Sequence, residues 1–160
     1  MAEAAKKKDI SADGGRLIVT EAATWKGTPY LLNGALAAKG AGGDCSGTTQ
    51  KIYSGAQCPF EYQMAGSFPA YAATSGLFRE LAAGDAKQEG DILSWPSHMA
   101  IYASFALDSL NATTPRETNG KKWTQYNDMW TATKPGGPAY GPGKISFFKT
   151  EPSRVFRYQK

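Results

Sequence analysis

Two side chains in this sequence could carry out covalent chemistry together, Cys45 and His98. Asp44 is a residue type that caps helices, so the sequence predicts a helix that begins at Cys45. Free backbone N–H groups and the helix dipole at such a position favour a thiolate and lower the pKa of the thiol. His98 is the only imidazole in the chain that could take the thiol proton. The pair is typical of a cysteine hydrolase; the alternative is a buried, inert Cys45 and a surface His98.

The helices and strands that must position these residues are predicted in two blocks. Apolar spacing predicts helices over 16–25 and 70–81, in addition to the one that starts at Cys45. Short runs rich in β-branched and aromatic residues predict strands over 91–95, 98–103, 129–133, 144–149 and 154–158. Helices followed by an antiparallel sheet predict an α+β fold.

Length and composition restrict the class of protein. The 160 residues, 41% of them hydrophobic, predict a single catalytic domain over 1–160 with a flexible N-terminus over 1–12. Two cysteines and one histidine are too few for most zinc sites, so we expect no metal and no other cofactor. No apolar run approaches the roughly 20 residues of a membrane span, and the basic start is not followed by the apolar region of a signal peptide. We therefore expect no membrane insertion.

The chain carries a modest excess of basic residues. Eighteen Lys and Arg against fourteen Asp and Glu give a net charge of +4, which favours polyanionic surroundings such as nucleic acid, anionic lipid or cell wall. The basic residues are scattered, however, and the densest run is Lys6 to Lys8. Without a basic stripe or an RNA-binding aromatic signature, we expect no nucleic-acid partner.

Four short motifs resemble, in their order, those of the NlpC/P60 peptidases. They are Gly27–Tyr30 (GTPY), Gly43–Gly47 (GDCSG), Glu89–Leu93 (EGDIL) and His98–Tyr102 (HMAIY). Each motif alone is weak, but four in order, with the only histidine in the fourth, form a specific pattern. The matching motifs all lie between Trp25 and Ala103, and the residues from there to the C-terminus match the family pattern only weakly. It implies a papain-like fold in which N-terminal helices pack on an antiparallel β-sheet.

The resemblance also implies an activity. NlpC/P60 peptidases hydrolyse amide bonds in the stem peptides of bacterial peptidoglycan, most often the γ-D-glutamyl–meso-diaminopimelate bond; the diaminopimelate–D-alanine cross-link is the second candidate here. Cys45 would be the nucleophile and His98 the base. Tyr30, Asp44 and Ser46 match positions that help to bind the N-terminal part of the stem. Each also has a structural explanation, as a core aromatic residue, a helix cap and a first-turn serine.

This sequence departs from the family pattern at the third polar residue of the site. Relatives commonly carry a histidine on the strand after the base strand, and this chain has Thr131 there by alignment. In a strand over 128–133, alternation places Thr131 and Met129 on one face and Asp128 on the other. Thr131 is therefore the expected third residue, and a register shifted by one would make it Asp128.

The compact domain, with no wall-binding repeat, further resembles the amidase effectors of type VI secretion. That resemblance implies an antibacterial toxin that is made in the bacterial cytoplasm and exported without a signal peptide to a periplasm or cell wall. A producing cell would then need a cognate immunity protein that covers the cleft. A phage lysis enzyme, which would likewise act without a signal peptide, is the alternative. Two further functions stay open: a cytoplasmic thiol amidase or acyltransferase on the same fold, and a non-catalytic cell-wall-binding module.

Overall fold

The computed structural model describes residues 7–104, 128–132, 139–143, 145 and 153–160, together with the strand pairing of 117–118 and 121–122. This part of the chain contains three α-helices and eight β-strands: α1 Ala12–Thr24, α2 Cys45–Gly55, α3 Phe68–Ser75, β1 Phe78–Glu80, β2 Ile92–Trp95, β3 His98–Tyr102, β4 Glu117–Thr118, β5 Lys121–Lys122, β6 Met129–Thr131, β7 Gly141–Gly143 and β8 Arg154–Tyr158. Six strands form one antiparallel sheet in the order β1–β8–β2–β3–β6–β7. The predicted α+β fold is confirmed. No helix in these ranges is long and apolar enough to cross a membrane.

The first helix begins earlier than the apolar spacing predicted. Ser11 caps it by accepting a hydrogen bond from the Gly14 N–H at 3.1 Å, so α1 starts at Ala12. Ile18 and Ala22 are fully buried, whereas Leu17, which the sequence analysis placed in the helix, is 60% exposed. One apolar stripe, rather than every apolar residue of the helix, faces the core.

The third helix is shorter than the one predicted over 70–81. It ends at Ser75 because Gly76 adopts the left-handed conformation, with φ of 73°. Phe78–Glu80 then forms β1, which pairs with β8, so the helix prediction for these residues was wrong. Burial of Phe78 against the aromatic core favours the strand over a longer helix.

The strands that position the predicted base form as expected. β2 and β3 make an antiparallel hairpin in which Trp95 and His98 are directly opposite each other across a two-residue turn. β6 pairs with β3 on its other side. The strand predicted over 144–149 lies outside the described residues except for Ile145, which follows β7 but is not in a strand.

The N-terminal segment is part of the fold from residue 8 onward. The backbones of Lys8 and Lys160 exchange two hydrogen bonds of 2.9 Å, and the Ile10 N–H donates to the Tyr158 carbonyl at 2.9 Å. Residues 8–10, which were predicted to be flexible, therefore pair with the end of β8, beyond the residues that pair with β2. Residues 1–6 lie outside the described residues.

An aromatic core holds α2 against the sheet. Tyr53 of α2 is fully buried and packs edge-on against Phe60, with ring centroids 5.5 Å apart. Its hydroxyl donates to the Gly90 carbonyl, in a turn where Gly90 has φ of 94°. Full burial of a side chain of this size stabilises the fold by about 1.5–3 kcal/mol. The orientation of α2, and so the position of Cys45, is fixed by this packing.

Candidate active site

The candidate nucleophile, Cys45, is the first residue of α2, as the sequence predicted. Asp44 has extended backbone angles, and its Oδ1 accepts a hydrogen bond from the Gly47 N–H at 2.8 Å, which is N-cap geometry. Asp44 Oδ2 accepts a second bond from the Gly34 N–H at 3.1 Å. The two bonds tie a neighbouring loop to the helix start. Gly47 permits this contact, because a Cβ atom there would lie 2.0 Å from the Gly34 carbonyl oxygen.

Three backbone N–H groups surround the Cys45 sulfur. Two belong to Cys45 and Ser46 at the open end of α2, and the third belongs to Met99 on β3. α2 and β3 meet at this point, so the sulfur lies against the backbone immediately after His98. The tertiary structure thus places the Cys45 sulfur at the residue that follows His98 in β3.

The resting thiol has a different acidity from the one predicted. Burial raises the pKa of the Cys45 thiol, and the nearby Asp44 carboxylate adds to the increase, while the N–H groups of Met99 and Ser46 act in the opposite direction. Desolvation is the largest effect, so the expectation of a lowered pKa was wrong. A proton acceptor beside the sulfur is therefore needed to generate the thiolate near neutral pH.

His98 is buried and is held by a threonine. Its side chain is 3% exposed, and its Nε2 lies 2.7 Å from Thr131 Oγ1. The Thr131 hydroxyl lies 3.4 Å from the Ala132 carbonyl oxygen and can donate to it. When it does so, it accepts the Nε2–H of His98, and Nδ1 is left as the proton acceptor of the imidazole. The Trp95 ring packs beside the imidazole at 5.6 Å between centroids.

The β3–β6 register places Thr131, rather than Asp128, at His98. Tyr102 pairs with Met129 in this register, which gives Thr131 the same face as Met129. The Asp128 carboxylate instead accepts a hydrogen bond from the Ile145 N–H at 2.7 Å. Of the two candidates for the third residue, Thr131 contacts His98, and Asp128 binds the backbone that follows β7.

The three predicted binding residues cluster around the start of α2. Tyr30 forms a β-bridge with Gly43, and burial raises its pKa, with further increases from Cys45 and Asp44 nearby. Ser46 is 5% exposed and lies 3.5 Å from Asp44 Oδ1. Hydroxyl and carboxylate groups therefore line the site on the side of Tyr30.

Tyr62 is a member of this cluster that the sequence analysis missed. Its hydroxyl lies 3.0 Å from Ser46 Oγ, and it packs over Gly34, where a Cβ atom would come within 2.9 Å of that hydroxyl. Tyr62 belongs to the irregular connection between α2 and α3, which has no periodic pattern. The sequence offered one indication, a tyrosine, whose ring carries a hydroxyl, between the polar residues Glu61 and Gln63.

The second cysteine, Cys58, is a buried core residue rather than a member of this site. Cys58 is free, 1% exposed and part of the apolar core. Among the described residues, no group of three or more His, Cys, Asp or Glu side chains could hold a metal ion.

Two solved structures are similar to this one. NlpC1 from Trichomonas vaginalis is similar over 99% of the chain, with a TM-score of 0.62 and 18% identity. A Staphylococcus aureus protein of the NLP/P60 family, described as similar to a lipoprotein, is similar over 95% of the chain, with a TM-score of 0.57 and 19% identity. This chain spans 49% and 44% of those two chains, about half their length.

Comparisons of sequence alone find no such likeness. A scan against protein-family models gives no match, and neither does a search of curated proteins. Structural likeness at this level of identity concerns the path of the chain, which is helices packed on an antiparallel sheet. The chain has the NlpC/P60 fold that its four motifs predicted.

Proposed function

We propose that the protein is a cysteine peptidase that hydrolyses an amide bond in the peptide stems of peptidoglycan. One observation carries the proposal: the Cys45 sulfur lies against β3 at Met99, next to a His98 whose Nε2 is held 2.7 Å from Thr131. This arrangement joins a nucleophile, a base and a group that orients the base. The NlpC/P60 fold supports the choice of substrate, since the NlpC/P60 peptidases act on cell-wall peptides.

The chemistry follows from these positions. His98 Nδ1 takes the Cys45 proton as the sulfur attacks the carbonyl carbon of the scissile amide. The N–H of Cys45 at the start of α2 donates to the resulting oxyanion. The imidazolium then gives its proton to the leaving amine, which departs and leaves a thioester on Cys45. Water, activated by His98, hydrolyses the thioester and restores the free thiol.

The cluster beside the nucleophile suits the N-terminal part of a stem. Tyr30, Asp44, Ser46 and Tyr62 present oxygen acceptors and one carboxylate, which favour a positively charged amine or amide N–H donors. The γ-D-glutamyl–meso-diaminopimelate bond lies near the N-terminus of the stem and is the bond that we favour. The diaminopimelate–D-alanine cross-link is the second candidate.

Mass spectrometry of purified sacculi tests this function directly. Incubation with the protein should release stem fragments cut within the peptide, and Cys45→Ala should release none. No carboxylate pair motivates glycosidase chemistry, so the glycan strands should remain intact. Reduced disaccharides in the digest, or equal release by Cys45→Ala, would contradict the proposal.

We further propose that the protein acts in a periplasm or cell wall as an antibacterial effector, and that a producing cell carries an immunity protein. The basic surplus of the chain suits an anionic wall. Expression directed to the periplasm should lyse cells, whereas cytoplasmic expression and periplasmic Cys45→Ala should not. Equal tolerance of the active protein in both compartments would instead favour a cytoplasmic thiol amidase or a non-catalytic module.

A further inference from the structure

Trp95 and His98 are cross-strand neighbours at the closed end of the β2–β3 hairpin. They are paired directly in the antiparallel register, and only Pro96 and Ser97 separate them in the chain. Side chains that are directly opposite in such a pair project from the same face of the sheet. The indole and the imidazole accordingly pack together, with ring centroids 5.6 Å apart and ring planes inclined by 39°. The short turn thus sets where the indole lies relative to the imidazole.

The Trp95 ring is itself held in place by the sheet. It is 2% exposed and belongs to a small apolar cluster with Leu93, Ala100 and Met129. Leu93 and Ala100 are paired across β2 and β3, and they share the sheet face of Trp95 and His98. A buried ring in a close-packed cluster has little freedom to turn. Trp95 therefore offers His98 a fixed wall.

The imidazole is in this way contacted from both neighbouring strands. On the β6 side, His98 Nε2 lies 2.7 Å from Thr131 Oγ1, which fixes the direction of one ring nitrogen. On the β2 side, the Trp95 indole packs against the ring. A single hydrogen bond leaves the ring free to tilt about it, whereas a contact from the other side removes that freedom. Trp95 and Thr131 therefore orient His98 in complementary ways.

The indole also acts on the charge of the imidazole. An aromatic face attracts a cation within about 6 Å of the ring centre, tryptophan most strongly, and the attraction grows when water is excluded. The separation of 5.6 Å lies inside this limit, and both His98 and Trp95 are buried. Contact with the indole therefore favours the imidazolium over the neutral imidazole.

Other titratable groups in the described part of the chain lie on α2, β2 and β6 or directly beside them. The Asp128 carboxylate beside β6 accepts a backbone N–H that follows β7. Asp91, which precedes β2, forms an ion pair with Arg157, and Asp44 caps α2. Burial raises the pKa of the Cys45 thiol at the start of α2. These contacts direct the three carboxylates to partners other than the imidazole.

We propose that Trp95 is a positioning residue for His98, and that its ring stabilises the imidazolium that forms when Cys45 gives up its proton. This inference rests on the proposed function, which makes His98 the base. The imidazole carries a positive charge from the attack of the sulfur until the leaving amine is protonated. Stabilisation of that charge favours proton transfer from a thiol whose burial opposes the thiolate.

An NMR titration of His98 tests the effect on charge without turnover. His98 is the only imidazole of the chain, so one set of signals reports it, and Cys45→Ala removes the thiol that would titrate with it. In this background, Trp95→Leu should lower the midpoint of the titration by about 0.5–1 pH unit. Trp95→Phe keeps a smaller aromatic face and should lower it by less. A role in packing alone predicts the opposite sign, because loss of the indole admits water, which favours the charged imidazole.

Trp25→Leu is the matched control for this titration. Trp25 is a buried tryptophan of the core on the helix side of the sheet, so the same side chain is replaced at a different place. The control should leave the midpoint unchanged. If circular dichroism shows that Trp95→Leu does not fold, Trp95→Phe carries the test, with the same sign. A midpoint that rises or stays in the Trp95 variants, or falls equally in Trp25→Leu, would overturn the inference.

Steady-state kinetics of the active protein separates this inference from the proposed function. On a stem peptide, Trp95→Leu should lower kcat about three- to tenfold with little change in KM, the factor that corresponds to 0.5–1 pH unit. Trp95→Phe should recover part of the loss. If stem peptides are cut but the midpoint does not fall, the inference is wrong and the proposed function stands. If no stem peptide is cut, the proposed function fails, while a lowered midpoint would still show that Trp95 stabilises the imidazolium.

Discussion

The imidazole of His98 and the hydroxyl of Thr131 form a buried pair, with Nε2 and Oγ1 2.7 Å apart and neither side chain more than 3% exposed. A hydroxyl can fix the ring plane and the tautomer, but it carries no charge to stabilise an imidazolium. The carboxylate of Asp128 is bonded to the Ile145 N–H instead. Thr131 therefore contributes orientation more than electrostatic stabilisation.

Thr131→Ala should lower kcat/KM about tenfold, or ~1.4 kcal/mol, far less than His98→Ala. Steady-state kinetics on a stem peptide measures both losses. Thr131→Ser, which keeps the hydroxyl, should recover most of the activity. Asp128→Asn should be nearly silent, because an amide oxygen can still accept the Ile145 N–H. If Asp128→Asn is as damaging as His98→Ala while Thr131→Ala is silent, the site is a Cys-His-Asp triad.

Cys45→Ala and His98→Ala should each abolish hydrolysis while circular dichroism shows an unchanged fold. The double variant should be no worse than either single variant, because nucleophile and base act as one unit. Cys58→Ala is the control: removal of a buried sulfur should cost about 1 kcal/mol of stability. Its kcat/KM should stay within about twofold of the unmodified protein. Retained hydrolysis in Cys45→Ala would rule out the thiol mechanism.

The resting thiol should react slowly with alkylating reagents at neutral pH. Burial raises the pKa of the Cys45 thiol, so the thiolate fraction at a given pH is smaller than for an ordinary cysteine, and it grows only as the pH rises above the usual thiol range. The rate of iodoacetamide labelling, followed by mass spectrometry in Cys58→Ala, should therefore climb through alkaline pH. A plateau that begins below pH 7 would show a preformed thiolate–imidazolium pair and contradict this expectation.

Ser46 and Tyr62 should be energetically coupled in substrate binding. Their hydroxyls are 3.0 Å apart, so Ser46→Ala and Tyr62→Phe each remove the same hydrogen bond. Each should raise KM several-fold with little change in kcat, and the double variant should lose less than the sum, with a coupling of about 0.5–1.5 kcal/mol. A double-mutant cycle on stem-peptide kinetics measures this coupling. Strictly additive losses would mean that the two hydroxyls bind substrate independently or not at all.

The sequence by itself determined the features that depend on neighbours in the chain. Asp44 caps α2 through a bond to Gly47, three residues away, so the helix start at Cys45 could be read from the residue types alone. The β2–β3 hairpin, which carries His98 after its turn, is equally local. Motif order then linked these two elements to the NlpC/P60 fold. Local signals thus predicted the fold and singled out Cys45 and His98 as the candidate nucleophile and base.

The tertiary structure decided what depends on contacts between distant segments. The β3–β6 register selected Thr131 over Asp128, because a one-residue shift reverses which face a side chain occupies. Tyr62 reaches Ser46 only because the connection after α2 turns back to the helix start, and no periodic pattern encodes that path. The pKa of Cys45 depended on the competition between the helix N-terminus and desolvation. Desolvation has the larger effect and raises the pKa. Desolvation is a property of the packed structure, because water is excluded from the thiol only when α2 packs against the sheet.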